Sequence, residues 1–266
     1  MSIFREPPPN TRPHVLVCSG LDPSGGAGFI ADLRVVDAVG ARPVGVVTAL
    51  TVQTTQGVRA MQALDPDFIG TQLAALLGDV EVHAVKLGLL GSTEMARHIS
   101  YGLDLTAAPV VWDPIATPSR GNVDFDGAAF DEMLQQLARH LTLITPNAFE
   151  LGLLEHRHID TLDSAIDAAE NLAARLDVAV LVKGGHVPHE TAVDVLVHAD
   201  GTERLEGPRL PRGEDVHGTG CALSAAIAAH LARGVELVEA CRRAKAFVAE
   251  RIGSAISPGR GLPAIV

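Results

Sequence analysis

Short runs rich in Val, Leu and Ile alternate along this chain with longer amphipathic stretches, and that alternation narrows the possible folds more than any single motif. Candidate strands are residues 14–19, 44–48, 84–87, 110–113, 141–145, 179–183 and 193–197. Several show little polar alternation, as strands buried on both faces of a parallel sheet do. Candidate helices are residues 27–39, 66–77, 93–100, 127–139, 148–154, 164–176, 221–232 and 237–256. In the sixth, Ile166, Ala169, Leu172, Ala173 and Leu176 recur at helical spacing. Strand and helix in turn predict an α/β fold, with helices on both faces of a mostly parallel sheet. No repeat or Ser/Pro/Gly-rich linker divides the chain, so residues 14–266 are expected to form a single domain. Residues 1–13, with Pro7-Pro8-Pro9, read as a loose arm.

Charge and composition exclude several functions. Against 32 Asp+Glu stand 21 Lys+Arg, a net charge of −11, and only 3 % of residues are aromatic. Such a chain is poorly built to hold a polyanion or stack bases, so no nucleic-acid partner is expected, although a local pocket for one phosphate is compatible. No apolar stretch predicts a signal peptide or a membrane span. Cys18, Cys221 and Cys241 make no disulfide framework and fit a reducing cytoplasm. Cys18 and Cys241 read as core or half-buried thiols.

Glycine clusters mark the candidate ligand loops, because ligands of open α/β sheets bind beyond the carboxyl ends of the strands. Ser19-Gly20-Leu21-Asp22-Pro23-Ser24-Gly25-Gly26-Ala27-Gly28 leads from a strand into a helix bearing Asp32. It is neither a dinucleotide fingerprint nor a phosphate loop with its Lys. A turn needing positive φ is one account, and close approach of a ligand to the backbone is the favoured one. In His217-Gly218-Thr219-Gly220-Cys221, two glycines free the backbone to aim successive N–H groups at one anion, and the following helix adds its dipole. Cys221 is expected in the first helical turn, where a thiol pKa is lowered. The plainer account is a glycine-rich cap beside a small buried Cys. His217 and Cys221 have the spacing of two metal ligands, but no others complete a structural zinc site.

Further motifs end other strands. In Thr145-Pro146-Asn147-Ala148-Phe149-Glu150, Asn147 and Glu150 form either a helix capping box or oxygen ligands for Mg²⁺. Lys183-Gly184-Gly185-His186 places a Lys where it reaches a phosphate, or is a surface turn. Asp113-Pro114 aims a carboxylate at the same edge, and Lys86-Leu87-Gly88-Leu89-Leu90 ends another strand.

In this order, from about His14 to about Ile256, the motifs resemble the hydroxymethylpyrimidine/phosphomethylpyrimidine kinases of thiamine biosynthesis, within the ribokinase-like superfamily. Thr48-Ala49-Leu50-Thr51-Val52-Gln53-Thr54-Thr55 is a further anchor. The resemblance implies a homodimeric enzyme that uses MgATP. Its substrate is 4-amino-5-hydroxymethyl-2-methylpyrimidine, phosphorylated first to the monophosphate and then to the diphosphate. It implies that Gln53 bonds the aminopyrimidine edge, with Gly20, Ala27, Asp32 and Val52 in the same pocket. Asn147, Thr219 and Lys183 would hold the nucleotide, and Asp113 and Glu150 the Mg²⁺. Gly218 and Gly220 would form the anion hole beside Lys183, and Cys221 would be the catalytic base.

The chemistry agrees. A planar amide matches a ring nitrogen beside an amino group. Phosphoryl transfer needs positioning and charge neutralisation, which amides, a Lys and Mg²⁺ supply. Phe29-Ile30, Leu90, the 115–121 run and Ala148-Phe149 depart from the family pattern, at pocket walls and phosphate contacts. The nearest alternative is a pyridoxal or pyridoxine kinase. A thiol hydrolase using Cys221 with His217 and a non-catalytic pyrimidine sensor are alternatives of other classes.

Overall fold

The computed structural model describes residues 12–116, 127–184, 191–210 and 213–265. In chain order the elements are β1 His14–Leu21, α1 Gly28–Val39, β2 Arg42–Thr54, β3 Gly57–Ala63, α2 Pro66–Asp79, β4 Ala84–Leu87, α3 Thr93–Leu103 and β5 Val110–Trp112. Then come α4 Gly127–Leu137, β6 Leu141–Ile144, α5 Ala148–Leu154, α6 Leu162–Leu176, β7 Ala179–Val182, β8 Ala192–His198, β9 Gly201–Gly207, α7 Thr219–Ala232 and α8 Leu237–Gly253.

They build a nine-stranded sheet in the order β3-β2-β1-β4-β5-β6-β7-β8-β9. The six strands from β2 to β7 run parallel, and β3, β8 and β9 are antiparallel additions at the two edges. Side-chain alternation splits the core between the two faces. Leu16, Val85, Trp112, Ile144 and Val180 pack toward α2–α6. Val15, Val17, Val111, Leu143 and Leu181 pack toward α1, α7 and α8. Helix α7 is buried nearly all round, which its run of alanines permits.

Two strands escape the sequence reading, β3 and β9. Both are largely exposed: β3 buries no residue fully, and in β9 Leu205 is the buried residue. The chain passes from β1 to β2 on one side and returns to β4 on the other. That reversal opens a crevice at the carboxyl ends of β1 and β4.

Candidate active site

A cleft of about 1660 Å³ follows the carboxyl edge of the sheet. One small ligand typically needs about 300–1,000 Å³, so this cleft has room for two. One end is lined by Gly20, Asp22, Ala27, Thr51, Gln53 and His217. The other is lined by Asp113, Asn147, Glu150, Lys183, Val216 and Lys245. Gly218, Thr219, Gly220 and Cys221 serve both.

The first end is a network of hydrogen bonds joining distant segments. Asp22 Oδ1 accepts from the Ser24 N–H at 2.8 Å and the Ser24 hydroxyl at 2.7 Å, and Oδ2 accepts from the Ala27 N–H at 3.1 Å. His217 Nε2 lies 3.1 Å from Asp22 Oδ2. Burial opposes ionisation of Asp22, but the bonds from His217 and Ser24 outweigh it and hold the carboxyl below its usual range. Gln53 Oε1 accepts from the Thr51 hydroxyl at 3.1 Å, and its Nε2 is 3.2 Å from the same His217 nitrogen. A His217 that donates Nε2–H to Asp22 cannot also accept from Gln53. The Gln53 –NH₂ is then left for a ligand in the cleft.

The other end is built from charges. Lys183 Nζ stands 2.6 Å from Asp113 Oδ1 and 3.4 Å from Glu150 Oε2. Asn147 and Glu150 form the expected reciprocal cap of α5. The Asn147 N–H donates to Glu150 Oε2 at 2.7 Å, and the Glu150 N–H donates to Asn147 Oδ1 at 2.9 Å. Burial opposes the Lys183 charge, yet Asp113 and Glu150 lift its pKa above the usual range. Burial raises Glu150, and Lys183 only partly counters it. Two buried carboxylates thus share one ammonium. No group of three His, Cys, Asp or Glu stands together among the described residues. Mg²⁺ needs only one or two protein carboxylates when phosphates and water complete its shell, so Asp113 and Glu150 fit it.

Between the ends, Gly218 caps α7 with φ 86°, where a side chain would strike the Gly26 carbonyl. A Cβ on Gly220 would lie 3.3 Å from Lys183 Nζ and 3.9 Å from Asp113 Oδ2, so this loop stands directly against the charged cluster. Thr219 opens the helix, two residues earlier than the sequence predicts, and puts Cys221 in its first turn. There the expected acidity is overturned. Burial pushes the Cys221 thiol up to about 12, and the Lys86 ammonium and the Gly28 N–H pull it down without prevailing.

Two further expectations need correction. Asp32 does not line the cleft. Its side chain is fully buried under β1 and β4, 2.6 Å from the equally buried Lys86 Nζ and bonded by the Ser19 hydroxyl at 2.8 Å. Val52 lies between two inward residues of a strand and faces the other way, 61 % exposed. Gly20 and Ala27 line the cleft as expected. Gly185, His186 and residues 117–121 lie outside the described residues.

Sequence reasoning missed the pairing of Asp22 with His217, because no local pattern links residues so far apart. It also missed Asp194, whose Oδ1 accepts from the Gly184 N–H at 2.9 Å and whose Oδ2 accepts from Lys245 at 2.7 Å. The first of those bonds holds Gly184, directly after Lys183. The cue was an acid inside an otherwise apolar strand, Val193-Asp194-Val195.

Solved structures place this fold in a class. The chain matches an ADP complex of Bacillus subtilis pyridoxal kinase with a TM-score of 0.84 and 30 % identity, covering 96 % of this chain and 97 % of that one. It matches phosphomethylpyrimidine kinase from Clostridium difficile 630 with a TM-score of 0.77 and 32 % identity, covering 91 % and 100 %. The architecture is that of the ribokinase-like small-molecule kinases. A curated relative, the hydroxymethylpyrimidine/phosphomethylpyrimidine kinase of Rhizobium meliloti (strain 1021), is 36 % identical over 251 residues, 92 % of this chain and 94 % of that protein. The model of the family described as phosphomethylpyrimidine kinase matches residues 22–265, and the chain belongs to that family.

Proposed function

We propose that the protein transfers a phosphoryl group from ATP to 4-amino-5-hydroxymethyl-2-methylpyrimidine, and a second to the resulting monophosphate, in thiamine biosynthesis. One observation carries this reading: the Gln53 amide and the buried Lys183 ammonium line one cleft, with the N-terminus of α7 between them. Gln53 offers its –NH₂ and carbonyl to the aminopyrimidine edge. Gly20 and Ala27 let the ring approach the backbone. Asn147 and Thr219 hold the nucleotide, and Lys183 and the amides of Gly218 and Gly220 meet the moving phosphoryl group. Mg²⁺ held by Asp113 and Glu150 would neutralise phosphate charge there. Cys221 takes the proton of the attacking hydroxyl. It does so as the thiolate: burial, Asp113 and Asp32 hold it as the thiol, so its own proton must first leave to solvent, a loss that Lys86, the Gly28 N–H and positive charge gathering at the phosphate end favour.

The reading extends to a cytoplasmic, single-domain enzyme over residues 14–266. No helix among the described residues is long and apolar enough to cross a membrane. A homodimer joined through the outer ribbon of β2 and β3 accounts for the exposed Leu50 and Val52. The likeness to a pyridoxal kinase favours a second reading, in which a pyridine alcohol occupies the same end. The test is to incubate purified protein with MgATP and the pyrimidine alcohol and to identify products by mass. Mono- and diphosphate are expected. Absence of any phosphorylated pyrimidine overturns the proposal.

A further inference from the structure

The segment at residues 256–265 plays no part in the mechanism above, yet it is tied to both sides of the substrate end. The Leu262 N–H donates to the Thr55 carbonyl at 3.0 Å, and the Gly261 N–H donates to the Thr55 hydroxyl at 3.0 Å. Thr55 stands two residues beyond Gln53. The His217 N–H donates to the Pro263 carbonyl at 2.8 Å. Ile256 and Ala264 bond each other in both directions, at 3.2 and 2.8 Å, and close the segment into a loop. Ala264 and Ile265 are buried, and a Cβ on Gly26 would meet Ala264 Cβ at 3.1 Å and His217 Cδ2 at 2.8 Å. Three chain segments therefore interlock here: the 20–28 loop, the 217–221 loop and this one. From it, one residue lines the cleft, Leu262.

We propose that residues 256–265 form a strap closing the substrate end and that Leu262 is a specificity-determining residue, setting how large an aromatic alcohol fits beside Gln53. The inference rests on the functional reading above. Gln53, Thr51, Asp22 and His217 bond polar edges and discriminate weakly by size. An apolar side chain held by backbone bonds to Thr55 and His217 does so by shape. A 4-aminopyrimidine is the smaller ring system, and a pyridine alcohol bearing a hydroxyl and an aldehyde is the bulkier one. Each missing methylene in such a contact is worth about 10–200-fold in discrimination.

The experiment measures kcat/KM for the pyrimidine alcohol and for pyridoxal in wild type, Leu262→Ala, Leu262→Phe and Leu262→Met, with KM for ATP and Tm alongside. Leu262→Ala is expected to raise the pyridoxal-to-pyrimidine ratio at least about tenfold, mainly through KM of the pyrimidine. Leu262→Phe narrows the end and is expected to lower that ratio. Leu262→Met conserves volume and should keep the ratio within about threefold of wild type. KM for ATP should stay within about twofold throughout. Opposite shifts by Ala and Phe are something a merely structural residue does not produce. Should Leu262→Ala fail to fold, the Phe and Met variants carry the same comparison. A ratio that moves with neither Ala nor Phe, or that moves the same way with both, overturns the inference while wild type still phosphorylates the pyrimidine. If wild type makes no phosphorylated pyrimidine, the functional reading fails instead.

Discussion

The two ends of the cleft solve different problems with different physics. At the substrate end Asp22, Gln53, Thr51 and His217 stand in a chain of polar contacts of 3.1–3.2 Å, with a single carboxylate among them. At the phosphate end Asp113, Glu150 and Lys183 are concentrated charges, with two carboxylates nearly sealed from water around one ammonium. On the proposed reading the first arrangement would select by shape and by donor-acceptor pattern. The second supplies charge, and its excess carboxylate creates a need for a cation that phosphate-bound Mg²⁺ would meet. A kinase that acts on a neutral alcohol and then on its phosphate needs this division. The ring is the same in both steps, whereas the charge at the acceptor is not.

Cys221 stands where the ends meet, and its removal is expected to separate the two steps most widely. An alcohol must lose its proton as it attacks, and general-base help is worth about 10²–10⁴-fold. A phosphate monoester has a second pKa near ~6 by analogy with phosphorylated side chains, so it is mostly dianionic at neutral pH. Cys221→Ala should therefore cut kcat/KM for the alcohol by about 10²–10⁴-fold and spare the monophosphate. Equal losses in the two measured values would show that Cys221 shapes the anion loop instead.

Lys183→Met tests the charged end alone. Losing one preorganised donor to a developing charge costs about 10²–10³-fold in kcat. KM for the pyrimidine alcohol should not change. Thermal unfolding should also shift down, because breaking a buried pair leaves unpaired charge worth about 3–5 kcal/mol. A rise in KM for the pyrimidine, with kcat intact, would erase the division between the ends.

Gln53→Leu is the reciprocal probe. The ring's polar edge loses its partner while buried, which costs about 1–3 kcal/mol, read as a higher KM for the pyrimidine. KM for ATP should be unaltered. An unaltered KM for the pyrimidine would mean that Gln53 does not read the ring.

Asp22→Asn gives the smallest effect and the only one defined by pH. Hydrogen bonds hold the folded-state pKa of Asp22 below the value of about 3.9 expected when unfolded. Its contribution to stability is therefore full above that pH and is lost as pH falls through the folded-state pKa. The Tm difference between wild type and variant should be constant near neutrality and close in acid. A gap that persists in acid would assign the effect to packing.

How much of this was legible depends on how local each signal is. Strands buried on both faces, such as β1 and β4, announce themselves as apolar runs. The ribbon strand β3 and the edge strand β9 do not, because Val58-Arg59-Ala60-Met61 is short, broken by a charge and largely exposed, and Thr202-Glu203-Arg204 is polar enough to read as loop. The cap of α5 and the loop of Gly218 and Gly220 were readable because each lies within a few residues. Asp32 misled, since a helix position does not reveal that Lys86, on another strand, has claimed its carboxylate. Cys221 misled in a different way. Its place in a helical first turn is a sequence property, but its burial is a property of the packed fold, and burial prevails over the dipole.

The central claim is that the Gln53 end of the cleft is fitted to an aminopyrimidine. Competition between the pyrimidine alcohol and pyridoxal for the wild-type enzyme, with MgATP saturating and both phosphorylated products quantified, tests it most directly. The account predicts that the pyrimidine is favoured by at least about tenfold in kcat/KM, the discrimination expected when a buried polar pattern is matched rather than left unpaired. Equal turnover of the two alcohols, or preference for pyridoxal, would contradict it.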